Sequence, residues 1–210
     1  TPGLWATVGF VFYLIVTPGI FTAQIYFMTD VLHLDKQFIG SLGQCTAAGQ
    51  MVALIAFMGS ARFLSVGMLA WGAWLMDCLS YPVQLYLHDA TSAQVVMFFA
   101  ALVSVLYGLC LNTLAARACP PGIEGTVYGL VMAAIELGGT LSEKFGGTMY
   151  DYFGPLNQAH HYTIQHGWSW TLWVGLGFTL FAAIFIPFLP TGAKTRDLVP
   201  AKGWGGDWGK

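Results

Sequence analysis

Apolar residues gather in six blocks separated by short polar breaks, at roughly 4–29, 37–59, 64–87, 91–115, 123–149 and 168–189. An α-helix rises 1.5 Å per residue, so about 20 such residues cross the hydrocarbon core of a bilayer. Each block has that reach. The pattern predicts an all-α integral membrane protein, with a six-helix transmembrane bundle over residues 1–190 and a tail over 191–210.

The polar residues inside the blocks are few. Thr17-Pro18-Gly19 interrupts the first block, and a proline without an N–H predicts a kink or local unwinding there. Gln24 and Tyr26 follow on its outer half. Asp35 stands where it would cap the second helix. That helix carries Gly40, Gly43 and Ala47 at spacings that let backbones approach, with Gln44 and Gln50 free to join helices or meet a polar substrate. The third block holds Asp77, with Tyr81 and Gln84 along the same face, and the fourth holds no acid or base. In the fifth, Gly125, Gly129, Ala133, Glu136, Thr140, Glu143 and Gly147 recur at steps of three or four. Such a small, polar face should look into a helix bundle rather than into lipid.

A carboxylate at the middle of a crossing is costly unless it meets protein or water, so by default it marks a function. Glu136 and Asp77 are therefore the candidates for handling substrate or protons, with Gln24, Gln44 and Gln50 as a polar lining. For Asp77, an interhelical hydrogen bond to Tyr or Ser accounts for the residue equally well.

Composition narrows the class. Charged residues make up 9% of the chain and hydrophobic ones 56%, against about 25% charged in soluble domains. A net charge of −2 leaves no basic footprint for nucleic acid. The four cysteines sit in or beside apolar blocks without metal-ligand spacing and read as small packing residues. The five histidines, at 33, 88, 160, 161 and 166, fall on one side and read as wet loop residues rather than a metal site. No catalytic pair and no metal or other cofactor is expected within the bundle, while bound lipid or pigment is compatible with it. With six crossings, Arg62, Arg117, Lys194, Arg196, Lys202 and Lys210 share one side, against Lys36 and Lys144 on the other. That asymmetry puts both termini on the cytoplasmic-equivalent side. Trp5 marks one membrane boundary, and Trp168, Trp170 and Trp173 the opposite one.

Between the fourth and fifth blocks runs RACPPGIEGTVYGLVM. Its Arg117, Cys119, Pro120, Gly122, Glu124, Gly125 and Thr126 resemble the cytoplasmic loop and following helix of the folate–biopterin transporter family of the major facilitator superfamily. IYFMTDVLHLDKQFIG resembles the same family's first crossing of its second half. The likeness spreads over about 150 residues and implies half of a twelve-crossing bundle, crossings seven to twelve. Two departures follow: only one half is represented, and residues 91–115 lack the acids that such proteins commonly carry there. The expected function is a non-transporting structural or assembly subunit of a larger membrane complex, a photosynthetic one being one host. The alternative is half of a proton-coupled transporter for folate, biopterin or a similar small molecule. The expected partners are membrane lipids and either other membrane subunits or a second six-helix half.

Overall fold

The computed structural model describes residues 2–119, 124–153 and 164–189, all helices and the short turns that join them. Seven α-helices appear among these residues: α1 (Pro2–Ile15), α2 (Phe21–Tyr26), α3 (Lys36–Ser60), α4 (Val66–Leu85), α5 (Ala90–Ala118), α6 (Glu124–Phe153) and α7 (Ile164–Ala182). Three helical stretches, Lys36–Ser60, Ala90–Arg117 and Gly167–Phe188, are long and apolar enough to cross a membrane. Pro120, Gly122, His160, His161 and the tail over 191–210 lie outside the described residues.

The first apolar block is not one kinked helix. It stops at Ile15, runs irregularly through Thr17-Pro18-Gly19, and resumes as α2, which passes into a π-helical turn at Phe27–Val31. Proline cannot donate to the turn before it, so the ladder opens there. Asp35 occupies the N-cap position of α3 in an extended conformation, but its side chain makes no capping bond. Ser65 does cap α4, accepting from the Met68 amide at 3.2 Å. Asp89 and Ser92 close a reciprocal capping box on α5, with the Ser92 amide donating to Asp89 Oδ1 at 2.6 Å.

The helices pack in two rows. α3, α5, the broken α1–α2 pair and α6 form one, and α4 and α7 lie behind it, against α5 and α6 respectively. Two apolar clusters hold the rows together. One joins Phe10 and Leu14 of α1 to Phe57, Leu69, Leu111 and Ile186. The other joins Phe27 and Met28 to Leu42, Tyr81, Val96, Tyr150 and Trp168, with the Phe27 and Trp168 rings stacked at 5.1 Å. The first cluster collects the start of α4 with the second half of α1 and the ends of α3 and α5. The second collects the starts of α3 and α5 and the end of α4 with α2 and the π-helical turn. At the waist between them lie the buried polar side chains of Thr17, Gln24, Asp77 and Ser142.

Large apolar side chains such as Ile55, Met58, Trp71, Leu79, Leu137 and Phe181 are exposed on the outside. An apolar exterior over a polar waist is the arrangement of a protein whose solvent is lipid.

Candidate functional site

The break in the first block is held by α6. The Gly19 amide donates to the Ser142 carbonyl at 2.9 Å, and the Ser142 hydroxyl donates back to the Thr17 carbonyl. Glu143 Oε2 accepts from both the amide and the hydroxyl of Thr22, at 3.1 and 2.9 Å. These contacts take up backbone groups that the proline and the open turn leave without helical partners. They require backbones in contact: a Cβ on Gly146 would overlap the Gly19 carbonyl.

Beside this seam lies a cavity of about 410 Å³ between the two apolar clusters. Asp77 of α4 is buried on one side of it, and its Oδ2 accepts from the Thr179 hydroxyl at 2.7 Å. Gln24 of α2 donates to Gln84 Oε1 at 2.8 Å and touches the Met97 sulfur at 3.3 Å. Tyr81, Tyr107 and Glu143 add to the polar surface, which among the described lining holds two carboxylates and no basic side chain. The cavity suits a ligand that brings N–H donors or positive charge.

The residues singled out in the sequence divide. Asp77 and Gln24 are buried and line the cavity together, and Gln50 reaches its rim from α3 although largely exposed. Gln44 is exposed and does not line it. Glu136 is exposed as well, as are Gly125, Gly129, Ala133 and Thr140 on the same face. The expectation that this stripe looks into a bundle is thus not met among the described residues, because no described helix packs over it. α6 turns inward the face that carries Val131, Gly138, Ser142 and Gly146 rather than the one that carries Glu136, and the carboxylate that joins Asp77 at the cavity is Glu143, two turns beyond Glu136.

Glu143 stood in the predicted stripe, but spacing alone did not set it apart from Glu136. The signal lay upstream: a helix broken at Thr17-Pro18-Gly19 needs outside hydrogen-bond partners. Thr179 offered no comparable cue.

Of the loop motif, Arg117 and Cys119 are described with their side chains. The Arg117 guanidinium donates to the Leu64 carbonyl at 2.5 Å and to the Ala61 carbonyl at 3.4 Å. It thereby ties the end of α5 to the turn between α3 and α4. The Cys119 thiol donates to the Ala115 carbonyl at 3.3 Å. Gly125 and Thr126 lie exposed in the first turn of α6, whose first residue is Glu124.

Comparison with known proteins agrees with these features. A sequence model of the BT1 family matches residues 1–203. The folate-biopterin transporter of Synechocystis sp. is 26% identical over 150 residues, covering 65% of this chain and 30% of that protein. The probable folate-biopterin transporter 4 of Arabidopsis thaliana is 26% identical over 156 residues, covering 63% of this chain and 29% of that protein. The chain thus spans less than a third of the length of the curated relatives it matches. No solved structure matches.

Proposed function

The chain belongs to the BT1 family, and from that premise we propose that it forms one six-helix half of a proton-coupled secondary transporter for folate, biopterin or a similar small molecule. In this reading the broken α1–α2 pair and the helices α3 to α7 make six crossings, with both termini on the cytoplasmic-equivalent side as the distribution of Lys and Arg favours. The observation that carries it is the waist cavity, in which Asp77 and Glu143 lie beside an interrupted helix. Secondary transporters bind their cargo near the bilayer midplane, where discontinuous helices free backbone and side-chain groups for it. A pterin ring would present N–H donors to the carboxylates and to the Gln84 oxygen, with Tyr81 and Tyr107 offering aromatic faces.

A second six-helix half packs, in this reading, on the row that exposes Gln44 of α3 with Glu136 and Thr140 of α6. A carboxylate at membrane depth needs protein or water against it, and a second half with a shared aqueous cleft supplies both. The assembly-subunit reading, photosynthetic or otherwise, keeps only the acid-free α5 in its favour. The named relatives are transporters, which favours transport over it.

The test is uptake of labelled biopterin by the protein reconstituted with its second half in sealed vesicles under an inward proton gradient. Saturable accumulation that a protonophore collapses is expected, and Asp77→Asn should lower it about tenfold or more. A folded, monodisperse preparation that accumulates none of it refutes the proposal.

A further inference from the structure

A second pocket, also of about 410 Å³, opens on the far side of the seam between α2 and α6. Its lining includes Thr22, Glu143 and Tyr150. Glu143 therefore faces two spaces at once, the waist cavity and this lateral pocket. The Glu143–Thr22 hydrogen bonds lie between them.

The lateral pocket is also lined by the exposed charged side chains of Lys144 and Asp151 and by the Thr148 hydroxyl. Charged groups in a space of this size hold water, so the pocket is wet. On the other side, the waist cavity is polar and large enough for several waters. A carboxylate placed between two wet spaces can take a proton from one and release it to the other without moving its backbone.

We propose that Glu143 is the proton-carrying group through which the lateral pocket communicates with the waist cavity. The inference rests on the transport reading above and gives the coupling proton a route. The proton enters from water in the lateral pocket and bonds to a carboxylate oxygen of Glu143, leaving a neutral acid. Loss of the charge weakens the two bonds from Thr22, since charge-assisted hydrogen bonds are the stronger kind. The proton then leaves to water in the waist cavity and the carboxylate is restored, so charge and atoms balance over the cycle.

The groups that bias this exchange are those facing the same two spaces. On the lateral side they are Tyr26 of α2 and Lys144, Tyr150 and Asp151 of α6, with Asp30 of the π-helical turn acting electrostatically on Tyr150. On the cavity side they are Asp77 and Tyr81 of α4 and Tyr107 of α5.

Two measurements test the proposal. The first needs no transport: modification of Glu143 by dicyclohexylcarbodiimide, which attacks protonated carboxyls, quantified by peptide mass spectrometry on the wild-type chain assembled with its second half. Greater labelling at pH 6 than at pH 8 is expected, since the reagent takes only the protonated acid. Labelling that is absent, or equal at the two values, overturns the proposal. The second uses the same vesicles with a trapped pH dye and reads protons taken up per biopterin. In E143Q that ratio should fall by about an order of magnitude, whatever happens to the biopterin flux, because an amide cannot exchange a proton. In Q24L, which removes a cavity hydrogen bond, flux should fall while the ratio holds. An unchanged ratio in E143Q overturns the proposal. If the wild type carries no biopterin at all, the transport reading fails, and the labelling alone decides whether Glu143 carries a proton.

Discussion

Thr179 of α7 gives its hydroxyl proton to Asp77 of α4 at 2.7 Å, two buried side chains 102 residues apart in sequence. The same residue's carbonyl accepts from the Trp74 indole at 2.8 Å, and the Tyr81 ring fills the space where Gly175 lacks a side chain. α4 and α7 are therefore locked at successive turns, and Asp77 is positioned by that lock as well as exposed to the cavity. Thr179→Val, which keeps the shape and removes the donor, should destabilise the protein by about 1 kcal/mol. In a double-mutant cycle with Asp77→Ala, followed by unfolding in detergent, the two changes should couple rather than add.

Gln24 and Gln84 should behave as one unit. Gln24→Leu leaves the Gln84 amide buried without its partner and should cost about 1–3 kcal/mol. Replacing both with Leu removes the unsatisfied group along with the bond. The double variant should recover most of that stability in a thermal melt while losing the biopterin binding proposed above, since both amides line the cavity.

Gly146 is fixed by sterics rather than by backbone conformation. Gly146→Ala would drive a methyl group into the Gly19 carbonyl and pry α6 from the helix break. Its yield of folded protein should fall sharply. Gly108→Ala meets nothing within 4 Å and should match the wild type or exceed it by up to about 1 kcal/mol, from helix propensity alone. Fluorescence-detected size exclusion of the two variants side by side checks both expectations.

Asp89 heads α5 outside the apolar block, and hydrogen bonds from Ser92 hold its carboxyl below the ordinary carboxylate range. Its charged cap therefore stabilises the fold fully above that range and is lost as pH falls through the lowered value. Asp89→Asn keeps a capping oxygen but does not titrate. The Tm advantage of wild type over this variant should be constant near neutrality and shrink on acidification below about pH 4.

The fold was legible where physical rules are local. A proline without an N–H must open the helix around Thr17-Pro18-Gly19, and the break is there. Asp77 and Gln24, polar residues in apolar blocks, are buried together as their cost demands. Asp35 sits at the N-cap of α3 as its position implied, yet makes no capping bond, because the cap side chain's rotamer is not set by spacing. The stripe from Gly125 to Gly147 was read as one inward face, but it is shared: Glu143 meets Thr22 of α2, and Glu136 is exposed. α6 packs through a different face, that of Val131, Gly138, Ser142 and Gly146, and from the stripe Glu143 reaches round to α2. That depends on the path of α6 over α1 and α2, which no periodicity encodes. Thr179 was invisible because threonine is unremarkable in an apolar helix until a buried acid is set opposite it.

The Arg117 clamp bears on the order in which this chain can mature during synthesis. Its guanidinium closes the turn between α3 and α4 by holding the Ala61 and Leu64 carbonyls, yet it is made more than 50 residues after them. Until α5 has been translated to its end, that turn lacks the Arg117 clamp, and the α3–α4 hairpin is held less firmly. The arrival of Arg117 fastens the turn to the end of α5, so α3, α4 and α5 should resist extraction and proteolysis together.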